Sequence, residues 1–194
     1  VASKAHTRDQ MLHSAVTLLR EQGATAVTVE AVLKNSGAPR GSVYYHFPGG
    51  RNELLLIAGR TSADAITRFV RTTTETCDPL TAFDRFADLW RTALRASDFK
   101  AGCPVVAMSV DAREDLPEAA ELVRETFAAW RTSIASSLEA IGKPAAEAAS
   151  LATLAVSAIE GAILLCRAER DTAPLDQVVD QLRLLVPTRL DTNA

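Results

Sequence analysis

Histidine is almost missing from this chain of 194 residues, and the little there is lies at one end, at His6, His13 and His46. That excludes a Cys–His pair or a histidine-based metal site in the rest of the chain. Cysteine is scarce too: Cys77, Cys103 and Cys166 stand far apart, with neither CxxC nor zinc-finger spacing. An odd count, with no charged-then-apolar leader, points to reduced thiols in a cytoplasm. There is no G-x-S-x-G, no glycine-rich phosphate loop and no H-E-x-x-H. No catalytic residue, metal or cofactor is therefore expected, and carboxylate chemistry through Asp111 or Glu160 is the enzymatic alternative that composition leaves. No apolar run is expected to approach the length of a membrane span, so no membrane partner is expected either. Sustained apolar–polar alternation of the strand kind is absent, as are internal repeats and low-complexity tracts.

What is present is helical patterning. Apolar residues make up 47 % of the chain, ample for a core. Prolines stand where helices should start and glycines where they should end, which predicts an all-α fold. A first helix is expected over residues 7–22, with Thr7 and Gln10 as a capping box and Gly23 as its stop. A long helix should run from about Arg51 to Arg71. Further helices are expected over Leu80–Ala96, Pro104–Ala112 and Pro117–Ile141. The next should run from Pro144 to about Arg167, and the last from Pro174 to just before Pro187.

Charge is unevenly spread. Residues 1–52 hold six Lys and Arg against three Asp and Glu, a net of +3, which leaves −6 for the remainder of a chain with net charge −3. A basic head on an acidic body suits a protein that presents one end to a phosphate backbone. Within that head, Thr28 to Phe47 reads as two short helices joined by a tight turn. Thr28 is a good N-cap, with Val29, Val32 and Leu33 on one face, and Gly37 suits the left-handed residue that ends a helix. Pro39 is expected in the first turn of the second helix. Val43 and Phe47 should point inward, leaving Arg40, Gly41, Ser42, Tyr44, Tyr45 and His46 outward. Two helices with a glycine-containing turn, the second polar outside, form a helix-turn-helix signature.

These residues also carry a resemblance. Thr28-Val29, Ser36-Gly37-Ala38, Gly41-x-Val43-Tyr44-Tyr45-His46-Phe47 and Glu53-Leu54 resemble the TetR family of transcriptional regulators over roughly residues 8 to 56. Pro48-Gly49-Gly50 before Arg51, with Gly102-Cys103-Pro104 downstream, is similar to the subgroup of lincomycin-resistance and flavonoid-responsive regulators. One departure is Ala38-Pro39, where many relatives carry hydroxyl residues, which removes two phosphate-contacting side chains. The resemblance implies a homodimeric regulator, most simply a repressor, that binds a palindromic operator in double-stranded DNA. It implies a DNA-binding domain over residues 1–50, with Thr28, Pro39, Arg40, Gly41, Ser42, Tyr44, Tyr45, His46 and Arg51 at the DNA. Arg51 could otherwise be a solvated charge.

The same resemblance implies a three-helix head followed by a helical ligand-binding and dimerisation domain over residues 51–194, with about nine helices in the whole chain. Six of the eight Phe and Trp residues fall between 83 and 130. Aromatics at helical spacing are more often core than pocket, but in the family the helices after the head enclose an inducer cavity. Phe83, Phe86, Trp90, Met108, Phe127 and Trp130 are therefore expected around a small hydrophobic ligand, with Ser157 and Glu160 as polar handles. The family pairs its last two helices with a partner's, which implies Leu151, Leu154, Ala155, Ala158, Ile159, Ala162 and Leu182 at a dimer seam. A ligand-free DNA-binding interaction protein is the other alternative.

Overall fold

The computed structural model describes residues 4–110 and 116–186, so Asp111 and Pro187 lie outside the described residues. Among these it contains nine α-helices, one turn of 3-10 helix and no strand. The helices are α1 (Lys4–Gln22), α2 (Val29–Ser36), α3 (Ser42–His46), α4 (Gly50–Thr76), α5 (Pro79–Ala96), α6 (Pro104–Val110), α7 (Pro117–Glu139), α8 (Ala145–Glu169) and α9 (Ala173–Leu185). The 3-10 turn is Ala24–Ala26. Because α1 already runs at Lys4, Thr7 lies inside the helix and is not its cap, contrary to the capping box expected there.

The helices group into two compact units, one drawn from residues 1–65 and 100–125, the other from 66–99 and 126–194. In the first, α1 packs against α2, α3 and α6. Met11, Ala15, Leu19, Val27, Val32, Val43, Phe47, Leu54 and Ala58 form its solvent-free centre. The Gly102 N–H donates to the last-turn carbonyl of Arg20 at 2.7 Å, tying the segment before α6 to the end of α1. α6 approaches α4 at Gly59, where a Cβ would lie 2.1 Å from Met108 Sδ.

In the second unit, α9 packs along α8 and α5. Asp78 caps α5 by accepting the Thr81 N–H at 3.0 Å, with Pro79 in the first turn, where its missing N–H costs nothing. Arg91 of α5 reaches Asp176 of α9 at 2.7 Å, and Arg183 of α9 pairs with Asp84 of α5.

Among the described residues one helix, α8, is long and apolar enough by composition to cross a membrane, with a mean hydropathy of 1.9 over its best window. That corrects the expectation that no apolar run approaches such a length. Alanines at Ala148, Ala152, Ala155 and Ala162, with Ile159 and Ile163, bury one side of α8 inside the unit. Small residues let helices approach closely, which is how α8 seats on α9.

Candidate nucleic-acid interface and effector cavity

The helix-turn-helix is built by local chemistry. Thr28 is extended (φ −109°, ψ 156°) and its hydroxyl accepts the Ala31 N–H at 3.1 Å, capping α2. A hydroxyl that accepts a cap bond still carries its own hydrogen to donate outward. Gly37 closes α2 in the left-handed region (φ 68°, ψ 12°), with its N–H on the Leu33 carbonyl at 3.0 Å. Pro39 is not in the first turn of the second helix as expected. It precedes that helix, and its carbonyl accepts both the Ser42 N–H at 2.9 Å and the Ser42 hydroxyl at 2.6 Å. That turn places the N-cap at Gly41 and shortens α3 to five residues.

The two sides of α3 are sharply divided. Val43 and Phe47 are 0 % exposed, whereas Tyr44 and Tyr45 are each 63 % exposed. The guanidinium of Arg8 lies 5.1 Å from the Phe47 ring centroid, covering that anchor from α1. Arg40 and Gly41 are exposed beside the tyrosines, and half-buried His46 meets the Tyr45 ring edge-on at 4.8 Å. Glu53 is a contributor that the sequence reading used only as a motif residue: its carboxylate accepts the Gly49 N–H at 2.8 Å and ties down the start of α4. Gly50 is in the left-handed region (φ 59°), and a Cβ there would lie 3.2 Å from the Tyr44 ring, so glycine gives that ring its place. Arg51 is half-buried and donates to the Ala24 carbonyl at 2.9 Å and to Asn52 Oδ1 at 3.3 Å. A guanidinium has five N–H donors, so three remain after these bonds.

The second unit holds a cavity of about 40 Å³, room for a few water molecules. Of the residues expected there, Phe83, Phe86, Trp130 and Glu160 line it. Trp90 and Phe127 stand beside it: Trp90 meets Phe86 edge-on at 6.4 Å, and Phe127 meets Trp130 edge-on at 5.4 Å. Trp90 is 2 % exposed, and its buried indole N–H has no acceptor among the described residues. Ser157 is exposed and off the wall, while Met108 belongs to the first unit, buried against Gly59. The sequence reading missed Val70, Thr73 and Thr74, which α4 contributes to the wall. Their i, i+3, i+4 spacing was a signal, hidden because threonines do not read as an apolar face.

The expected seam residues fall into two groups. Ala155, Ile159, Ala162 and Leu182 are at most 5 % exposed and belong to the chain's own packing. Leu151 and Ala158 are half-buried, and Leu154 is exposed. Leu164 and Leu165 of α8 and Leu184 and Leu185 of α9 are also exposed, none of them in the expected set.

Comparison with known proteins gives a consistent picture. Residues 11–56 match the model for bacterial regulatory proteins of the tetR family, and residues 79–181 match the LmrA/YxaF-like transcriptional regulator C-terminal domain. The chain is 40 % identical over 188 residues to the HTH-type transcriptional regulator Rv0196 of Mycobacterium tuberculosis, covering 94 % of this chain and 95 % of that protein. It is 27 % identical over 174 residues to the HTH-type transcriptional regulator LmrA of Bacillus subtilis, covering 89 % and 93 %. In fold it is similar to a TetR transcriptional regulator from Legionella pneumophila, with a TM-score of 0.83, 19 % identity and coverage of 96 % and 99 %.

Proposed function

The chain belongs to the TetR family of bacterial transcriptional regulators, and from that premise we propose that it is a ligand-released repressor. As a homodimer it binds a near-palindromic operator in double-stranded DNA, and a small hydrophobic molecule in the second unit's cavity releases it. Residues 1–50 act as the DNA-binding domain, and 51–194 as the ligand-binding and dimerisation domain. Its place of action is the cytoplasm, where the DNA is.

The observation that carries the reading is the division of α3. Val43 and Phe47 anchor it with no exposure, while Arg40, Tyr44 and Tyr45 are exposed beside it. Recognition helices work that way: apolar side chains fix the helix while polar ones reach phosphates and base edges. Arg40 supplies the fixed cation of the contact. Thr28, Pro39, Gly41, Ser42 and His46 complete the surface, and Arg51 adds its remaining donors from the start of α4.

One helix-turn-helix covers one half-site, and two recognition helices about 34 Å apart read successive major grooves. The exposed leucines Leu154, Leu164, Leu165 and Leu184 support pairing of α8 and α9 with a second copy, since large apolar side chains left in water on these helices gain by burial against a partner. Release works through α4, which starts beside Tyr44 at Gly50 and lines the cavity with Val70, Thr73 and Thr74. A ligand that fits better when α4 is displaced weakens DNA binding, and by linkage DNA weakens the ligand by the same factor.

Binding-site selection with the purified protein tests the reading. The expected product is a twofold-symmetric site with half-sites one helical turn, or a multiple of it, apart; selected sites without twofold symmetry overturn the dimeric reading. One observation favours a second reading, a DNA-binding protein with no ligand: the cavity, at about 40 Å³, is small. Release assays against hydrophobic compounds separate the two.

A further inference from the structure

Tyr44 and Tyr45 are the only tyrosines in the chain, and the structure supports their rings in different ways. Tyr45 has the His46 ring against it, edge-on at 4.8 Å. Tyr44 has the backbone of Gly50 beside it. A Cβ on Gly50 would lie 3.2 Å from Tyr44 Cε1 and 3.9 Å from Cδ1, so a side chain at that position would crowd the ring. The turn that brings Gly50 there is held at both ends. The Phe47 N–H donates to the Val43 carbonyl at 2.7 Å, and the Gly50 N–H to the Phe47 carbonyl at 2.8 Å. The Gly49 N–H donates to the Glu53 carboxylate at 2.8 Å, which fixes the turn to the start of α4. Gly50 is itself buried and left-handed (φ 59°), a conformation that is strained for a residue with a Cβ. The two glycines therefore differ. A Cβ on Gly49 would have three atoms of Glu53 as its nearest neighbours, the first at 3.0 Å, whereas one on Gly50 would meet Tyr44.

We propose that Gly50 is a positioning residue for DNA recognition. Buried itself, it holds the Tyr44 ring where the phenol meets the operator, and so contributes to affinity and to base preference at the position that Tyr44 reads. This rests on the DNA-binding reading above. An exposed aromatic side chain exchanges between rotamers, and Tyr44 is 63 % exposed. A ring seated against rigid backbone gives up less freedom on binding than one that is free to swing. The competing account is that Gly50 serves the turn alone. Its replacement would then disturb the start of α4, and Arg51 with it, whatever stands at position 44.

The test has two arms, both on the full chain. In the free protein labelled with fluorotyrosine, fluorine NMR gives one resonance per tyrosine, assigned with Tyr45→Phe. Gly50→Ala is expected to shift the Tyr44 resonance and leave that of Tyr45 in place, and Gly49→Ala to leave both. The second arm measures affinity for a selected operator at one fixed salt concentration. Gly50→Ala should weaken it by about two- to tenfold, the cost of ordering one freed side chain. In a Tyr44→Ala background the same substitution should change it by less than about twofold. The operator position whose base preference relaxes in Tyr44→Ala should relax in Gly50→Ala too. Should Gly50→Ala not fold, Gly50→Asn accepts the left-handed region more readily, carries the same Cβ against the ring and is read in the same way. An unmoved Tyr44 resonance overturns the proposal, as does an equal shift from Gly49→Ala. So does unchanged operator affinity in Gly50→Ala or in Tyr44→Ala, or an equal loss from Gly50→Ala in both backgrounds. Failure of the DNA-binding reading looks different: the unaltered protein then selects no operator, and the proposal falls with it whatever the resonances do.

Discussion

Replacing Thr67 with valine keeps the shape of the side chain and removes the oxygen that accepts the Trp130 indole N–H at 2.8 Å. Trp130 is 2 % exposed, so the abandoned donor has little access to water. A buried donor left unpaired costs about 1–3 kcal/mol, and an isosteric valine adds no cavity to that cost. We expect Thr67→Val to lower the free energy of unfolding by about 2 kcal/mol. Urea denaturation should be read at one fixed protein concentration, because the stability of any chain that associates depends on it. In a Trp130→Phe background, where no N–H remains, the same substitution should cost less than about 0.5 kcal/mol, and the difference between the two is the coupling. Trp90 is the internal control. Its N–H has no acceptor among the described residues, so Trp90→Phe gives up packing but relieves an orphan donor. It should therefore destabilise less than Trp130→Phe. Equal costs of Thr67→Val in the two backgrounds would refute the reasoning that the substitution acts by leaving the Trp130 N–H unpaired.

At the outward face of α8, Leu164→Glu and Leu165→Glu replace side chains that are each 52 % exposed in the single chain, so folding should survive while dimers dissociate. Sedimentation at micromolar protein should show monomers, and an unchanged dimer would rule out this face as the seam. At the start of α5, hydrogen bonds from the Thr81 hydroxyl and then its backbone N–H hold the Asp78 carboxyl below its ordinary pKa. A depressed folded value means that the cap's charge stabilises the fold above about pH 4 and that this is lost as pH falls through the lower folded value. The stability gap between Asp78→Ala and the unaltered protein should therefore narrow on acidification; a gap that widens would contradict the linkage.

Much of the architecture was legible because the chain punctuates its helices chemically. Pro79, Pro104 and Pro117 each open a helix, Pro144 is the N-cap of α8, and Pro174 lies in the first turn of α9. Gly37 ends α2 in the left-handed conformation it was expected to take. Pro39 misled because the preference for proline in a first turn competes with the turn that the Ser42 bonds to its carbonyl create. Met108 was grouped with the aromatics by position in the chain, but α6 seats it on the bare backbone of Gly59. In α8 the sequence says little about orientation, since a helix apolar on most sides has no pattern that marks which one faces inward. Close approach to α9 turns its alanines in and leaves Leu154, Leu164 and Leu165 out, a choice made by tertiary packing.

The central claim is that the exposed side of the α3 segment holds DNA. Arg40 is exposed at the turn that leads into α3, so Arg40→Ala removes a cation without touching the core. Fluorescence anisotropy with a selected operator at one fixed salt concentration measures the consequence. A bidentate contact to guanine contributes about 1–3 kcal/mol, so the account predicts affinity weaker by about tenfold or more, with fold and dimer unchanged. Unchanged operator affinity in Arg40→Ala would contradict it.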